Sequence, residues 1–221
     1  MRVRLHVPMT TASICLVWPC STVTSDDGLK VLRANAHRRM RWKNGGGVTT
    51  EIAVAPADAS LQSFDWRVST ADVASDGPFS LFPGIDRTLV VLEGEGLRLK
   101  VGGRSPLMLV AGGEPAAFSG DLPASASLIG GPIRDLNVMT RRGQFSHKLA
   151  AIDIQGCASL QTPADITPLL LGNGRISLRS PRRAIELKPG DAVIVDGQAR
   201  AGGPLACEGA GVLYQVSIWQ G

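Results

Sequence analysis

The chain is short of the side chains that build metal and nucleophile sites. Its 221 residues contain three histidines, His6, His37 and His147, and no two of them form a pair. Imidazoles that share one ion sit at paired spacing on adjacent strands, so no metal and no cofactor is expected, and His37 and His147 read as surface residues. The four cysteines, Cys15, Cys20, Cys157 and Cys207, lack the C-x-x-C spacing of a zinc site. Reduced thiols in a cytoplasmic protein are the economical reading. No apolar run approaches the roughly 20 residues needed to cross a bilayer, so no membrane partner is expected. A Gly-x-Ser-x-Gly elbow is absent, as is Walker spacing in the one glycine-rich loop. The net charge of +4 is mild. Its basic residues are scattered, without the dense stripe of a nucleic-acid surface.

Glycine and proline, by contrast, are plentiful, at 26 and 14 residues spread along the chain. They punctuate short runs that alternate or are wholly apolar, such as V-T-T-E-I-A-V-A, F-D-W-R-V-S and T-L-V-V-L-E-G-E-G-L-R-L-K-V. That pattern predicts an all-β fold of many short strands. A short helix is expected at most at Pro56–Gln62, with one turn at Pro163–Pro168. An internal repeat pairs Gly94 with Gly172, Gly96 with Gly174, Gly113 with Gly190 and Gly120 with Gly197, which suggests a duplicated unit of strand, turn and strand.

Two stretches are hard to explain as scaffold. Arg41–Glu51 reads R-W-K-N-G-G-G-V-T-T-E. Its three glycines let the backbone take positive φ and approach another group closely, and successive N–H groups in such an arc can cradle an anion. The plain alternative is a hairpin loop anchored by Trp42. The chain has only five Phe, four Trp and one Tyr, yet Phe64, Trp66, Phe79 and Phe82 lie close together. Arg67, Ser69, Ser80 and Arg87 are interleaved with them. Apolar walls carrying a few directional polar groups are the material of small-molecule pockets.

W-K-N-G-G-G-V-T-T-E, F-D-W-R-V-S-T-A-D-V, G-P-F-S-L-F-P-G-I-D-R, F-S-G-D and G-P-I-R-D-L-N-V-M, in this order, resemble the HutD/Ves family. These are cupin-like bacterial proteins associated with histidine utilisation. The resemblance runs from about Leu32 to Met139 and more loosely beyond. It implies a cupin-like fold (a double-stranded β-helix or jelly roll), which together with the repeat reads as two tandem modules, a bicupin. The boundaries expected are residues 29–138 for a first module with the site and 139–221 for a second, mainly scaffold. Residues 1–28 fit neither and are expected to be a disordered extension from an early start codon. A signal peptide is the alternative.

The resemblance and the residues together point to a metal-free protein that binds a small carboxylate and regulates histidine utilisation. Urocanate and N-formylglutamate are the candidate ligands. Arg67 and Arg87 would clamp the carboxylate. Asn44, the amides of Gly45, Gly46 and Gly47, and Thr49 would hold a second polar group. Trp42, Trp66, Phe79 and Phe82 would form walls, and Ser80, Glu51, Asp135 and Asn137 would complete the site. The structural alternative for Arg67 and Arg87 is an ion pair with a neighbouring aspartate. Two other functions stay open: a metal-independent isomerase or hydrolase with Glu51 or Asp135 as base, and a protein-interaction module. A homodimer is compatible with such sheets.

Overall fold

The computed structural model describes residues 27–197 and 203–221, which form an all-β protein of three sheets. The expected extension, residues 1–28, lies outside the described residues except for its last two. In chain order the first strands are β1 (Leu29–Leu32), β2 (Arg38–Arg41), β3 (Gly47–Ala55), β4 (Trp66–Val73), β5 (Gly77–Pro78), β6 (Ile85–Glu93), β7 (Leu97–Val101) and β8 (Leu107–Leu109). There follow β9 (Ala116–Ser119), β10 (Ala124–Leu128), β11 (Ile133–Arg141), β12 (Phe145–Leu160) and β13 (Thr167–Leu171). The last are β14 (Arg175–Arg179), β15 (Ala184–Leu187), β16 (Ala192–Val195) and β17 (Leu205–Gln220). A 3₁₀ turn occupies Ala34–Ala36. Pro56–Gln62 forms a bend, turns and irregular backbone, and Pro163–Pro168 two bends that lead into a bridge at Ile166 and the start of β13, not the helical turns expected there.

The six-stranded sheet, ordered β2-β3-β4-β11-β6-β9, lies between the other two. Side chains alternate across a strand, so each strand of this sheet feeds two different layers. Trp66, Val68, Val90, Leu136 and Val138 pack on Leu170, Ile194, Tyr214, Val216 and Ile218 of the C-terminal sheet. On the other face, Val73, Leu89, Val91 and Ile133 pack on Leu97, Leu99 and Val101 of the small β5-β10-β7-β8 sheet. The C-terminal sheet runs β1-β16-β13-β17-β14-β15, with β12 also paired to β17, and folds around a separate core that includes Leu169, Leu171, Ile176 and Leu187.

Strand β1 departs from the expected boundaries. Its residues fall in the range assigned to the first module, but Leu29–Leu32 pair antiparallel with Ala192–Val195. Leu29 is buried in the C-terminal core, which gives the strand its reason to cross. The repeat glycines mark corresponding turns: Gly94 and Gly96 join β6 to β7, and Gly172 and Gly174 join β13 to β14. Among the described residues no helix is long and apolar enough to cross a membrane.

His147 is not the surface residue expected. On β12 it reaches the six-stranded sheet, where Nδ1 meets Thr140 Oγ1 at 2.7 Å and Nε2 meets Thr88 Oγ1 at 2.9 Å. Burial lowers its pKa from 6.5 to about 4, partly offset by Asp86. Because the folded value is the lower one, the unfolded chain takes up this proton first. Stability from the neutral ring is therefore complete above about 6.5 and fades as pH falls towards 4. Calorimetric melting of the wild type and His147→Gln should show a gap that is largest near neutrality and narrows on acidification. A gap that does not change with pH would refute this account.

Candidate functional site

The face of the six-stranded sheet that meets the small sheet changes character along its length. At one end it is apolar. At the other, alternation on β4 presents Arg67, Ser69 and Ala71, on β6 presents Arg87, and on β11 presents Asp135, Asn137 and Met139. These groups share a cavity of about 510 Å³, bordered by Trp42, Lys43, Asn44, Leu61, Pro78, Phe79, Ser80 and Phe82. Arg67, Arg87 and Asp135 are 4%, 3% and 1% exposed, so the cavity has three ionisable groups inside the protein.

Each guanidinium is held from one side and free of protein partners on another. Arg67 Nε donates to Glu51 Oε2 at 2.7 Å and Nη1 to Ser69 Oγ at 3.2 Å, while Nη2 has no protein partner. Arg87 lies 5.3, 5.5 and 5.0 Å from the ring centres of Phe79, Phe82 and Phe118. Cations over aromatic faces gain from the ring quadrupole, more so when desolvated. Arg87 Nη1 donates to the Ser80 carbonyl at 3.2 Å, and Nε is buried without a protein partner. The Oδ1 atoms of Asp135 and Asn137 are likewise buried and unpartnered.

The electrostatics follow from this enclosure. Burial raises Asp135 to about 7, against the pull of Arg87 and a hydrogen bond from the Ala71 backbone. Burial also lowers Arg87 to about 10, with Asp135 opposing the shift and Arg67 adding to it. Among the described residues no ion pair joins Arg87 to Asp135, and none joins Arg67 to it. A buried acid and two buried cations thus face one space without neutralising each other directly.

The glycine stretch has a different role from the anion cradle expected. The Gly45 N–H donates to the Trp42 carbonyl at 3.1 Å, and the Gly46 N–H to Asn44 Oδ1 at 3.0 Å. Gly45, at φ 73°, makes the left-handed turn. A Cβ on Gly47 would lie 2.6 Å from the Asp72 carbonyl oxygen and 3.1 Å from the Trp42 ring. The glycines therefore seat Trp42 against β3, where its Nε1–H donates to Thr49 Oγ1 at 2.8 Å. Trp66 is also displaced from its expected place. It sits one position out of phase with Arg67, so it points to the opposite face and is 1% exposed in the core. Glu51 stands behind the cavity as the partner of Arg67.

The remaining expected residues do meet at the cavity: Trp42, Asn44, Thr49, Arg67, Phe79, Ser80, Phe82, Arg87, Asp135 and Asn137. Sequence reading left out Met40, Ala71, Pro78 and Met139 as lining groups, and named Ser69 only among the polar groups interleaved with the aromatics. Ser69, Ala71 and Met139 follow from stepping two residues along β4 and β11. Leu61 comes from an irregular loop with no periodic signal. Among the described residues no group of three His, Cys, Asp or Glu side chains could hold a metal ion.

Comparison with known proteins gives the site a family context. The family model described as HutD matches residues 34–214. An uncharacterised 21.2 kDa protein in the hutC 3' region of Pseudomonas putida is 35% identical over 158 residues, covering 72% of this chain and 81% of that one. Protein Ves of Citrobacter koseri is 38% identical over 113 residues, covering 51% of this chain and 58% of Ves. The solved structure of HutD from Pseudomonas fluorescens SBW25 is 33% identical with a TM-score of 0.73, covering 87% of this chain and 99% of that one. A bacterial pirin, YhhW of Escherichia coli in complex with nickel(II), is only 9% identical but has a TM-score of 0.61, covering 87% of this chain and 99% of that one. The fold is therefore cupin-like. The nickel chemistry of that pirin finds no matching donor cluster among the described residues here.

Two outcomes test this geometry. Carboxyl-carbon NMR should show Asp135 titrating near 7, and Arg87→Leu should move that midpoint upward by removing the cation that lowers it. An Asp135 midpoint in the ordinary range near 4 would contradict the enclosure. Gly47→Ala should cost about 1–3 kcal/mol of unfolding free energy and shift the Trp42 fluorescence. Unchanged stability would show that the ring does not need the glycine.

Proposed function

The chain belongs to the HutD family, which is linked to histidine utilisation, and on that premise we propose that it is a binding protein for a small carboxylate metabolite. Its role is regulatory: occupancy of the cavity reports the level of an intermediate of histidine breakdown in the cytoplasm. Urocanate and N-formylglutamate, both carboxylates of that pathway, are the candidate ligands, and no metal is required.

The observation that carries this reading is the pair of buried arginines, Arg67 and Arg87, each with a nitrogen that has no protein partner. Guanidinium groups hold carboxylates through charge-assisted hydrogen bonds, about twice as strong as neutral ones. The flanking groups hold the cations ready, Glu51 and Ser69 for Arg67 and three phenylalanines for Arg87. A site organised before the ligand arrives loses less entropy on binding.

A second reading has an observation of its own. Asp135, raised to about 7, has the pKa of a general acid or base near neutral pH. An isomerase or hydrolase would use it in preference to Glu51, whose carboxylate is engaged by Arg67. The two readings separate on turnover, since a binding protein returns its ligand unchanged.

The test is native mass spectrometry of protein from cells grown on histidine, followed by calorimetry with the identified acid. The expected result is a mass gain that is lost on denaturation and matches a small carboxylate. Removing a charge-assisted bond costs about 1.5–3 kcal/mol, so Arg67→Met and Arg87→Leu should each weaken binding by roughly 10- to 100-fold. A clean apo mass together with no heat from either candidate acid at millimolar concentration would overturn the proposal.

A further inference from the structure

The cavity has two kinds of unsatisfied group. Arg67 Nη2 and Arg87 Nε are donors, and a carboxylate answers them. Asp135 Oδ1, when the acid is ionised, and Asn137 Oδ1 are acceptors, and a carboxylate cannot answer those. Both acceptors are on β11, two residues apart and on the same face, so they stand side by side across the cavity floor. We propose that the pocket selects acids that also bring an N–H or O–H donor on the same molecule, with Asp135 and Asn137 as the specificity-determining acceptors. This rests on the carboxylate-binding reading above and narrows it to acids that carry such a donor.

The argument is one of satisfaction. A buried polar atom left without a hydrogen-bond partner is costly, and the penalty is larger for a carboxylate than for a neutral oxygen. A simple aliphatic or aromatic acid would leave Asp135 facing an apolar group. An acid with a donor at the far end would satisfy the Arg pair and the Asp–Asn pair together. Sites built to bond a ligand N–H reject analogues that lack it far more strongly than apolar pockets reject a missing methylene. The seam between the six-stranded and C-terminal sheets offers a contrast. Its cavity of about 210 Å³ is also lined by charged groups, but Arg134 pairs with Asp72 at 2.7 Å and with Glu93 at 3.0 Å. Those charges answer each other.

The test uses matched acids that differ in one atom. N-formylglutamate is compared with its ester isostere, in which oxygen replaces the amide N–H. Urocanate is compared with the corresponding oxazole acid, in which oxygen replaces the ring N–H. Calorimetry on the wild-type protein should show the N–H member of at least one pair binding about tenfold or more tighter than its isostere. Asp135→Ala should collapse that ratio towards one. If the alanine variant does not fold, Asn137→Ala should reduce the ratio in the same direction. Equal affinity within both pairs, or a preference for the isosteres, would overturn the inference and leave carboxylate binding intact. Failure of all four acids to bind would overturn both.

Discussion

Everything in this protein depends on a six-stranded sheet that is covered on both faces. A strand in such a sheet has no solvent side to which an awkward residue can be turned. The central positions of β4, β6 and β11 must each suit one of two packed layers. On β4, Trp66 and Val68 suit the seam with the C-terminal sheet, while Arg67 and Ser69 face the other way. On β11, Leu136 and Val138 belong to the seam, and Asp135, Asn137 and Met139 to the cavity. A one-residue slip would drive Arg67 and Asp135 into the hydrophobic seam and place Trp66 over the cavity. The seam's apolar packing therefore fixes the register that assembles the polar site.

The site in turn is an exception to the rule that buried charges are paired. Arg67 obeys it through Glu51 at 2.7 Å. Arg87 does not: three aromatic rings and one carbonyl hold it in place of a carboxylate. Aromatic faces stabilise a desolvated cation by about 2 kcal/mol, while burial lowers its pKa to about 10, with Asp135 opposing the shift and Arg67 adding to it. Asp135 is pushed the opposite way by the same burial. Natural proteins depart from local rules at functional sites and compensate elsewhere. Here the compensation is the apolar sandwich at the other end of the same face.

Sequence reading recovered most of this, and the pattern of its failures has a physical cause. The all-β class followed from glycine and proline punctuation, and the repeat glycines correctly marked equivalent turns. The aromatic–arginine cluster was visible because Phe79, Phe82 and Arg87 lie within nine positions. Trp66 was misplaced because proximity in sequence was weighed without phase, and one position reverses a strand residue's direction. The glycine run was misread because composition shows where backbone can bend, not which N–H groups are already donated. Phe118 escaped because its link to Arg87 is a cross-strand register between residues 31 positions apart. The crossing of β1 to the C-terminal sheet was hidden for the same reason: long-range pairing leaves no local signature.

A fold shared with a nickel-bearing pirin does not bring its chemistry, because sites and not folds carry function. A metal site concentrates positive charge at one point and collects acceptors around it. The inward face here is built on the opposite plan, with fixed guanidinium donors at one part and carboxylate and amide acceptors at another. Such a surface cannot be satisfied by a single ion of either sign. It can be satisfied by a molecule whose own ends differ, negative where the arginines are and donating where Asp135 is. The separation of Arg87 from Asp135 is then the central feature of the site. Had they paired, the acid and the base would have answered each other, as Arg134 and Asp72 do at the seam, and nothing in the cavity would ask for a ligand.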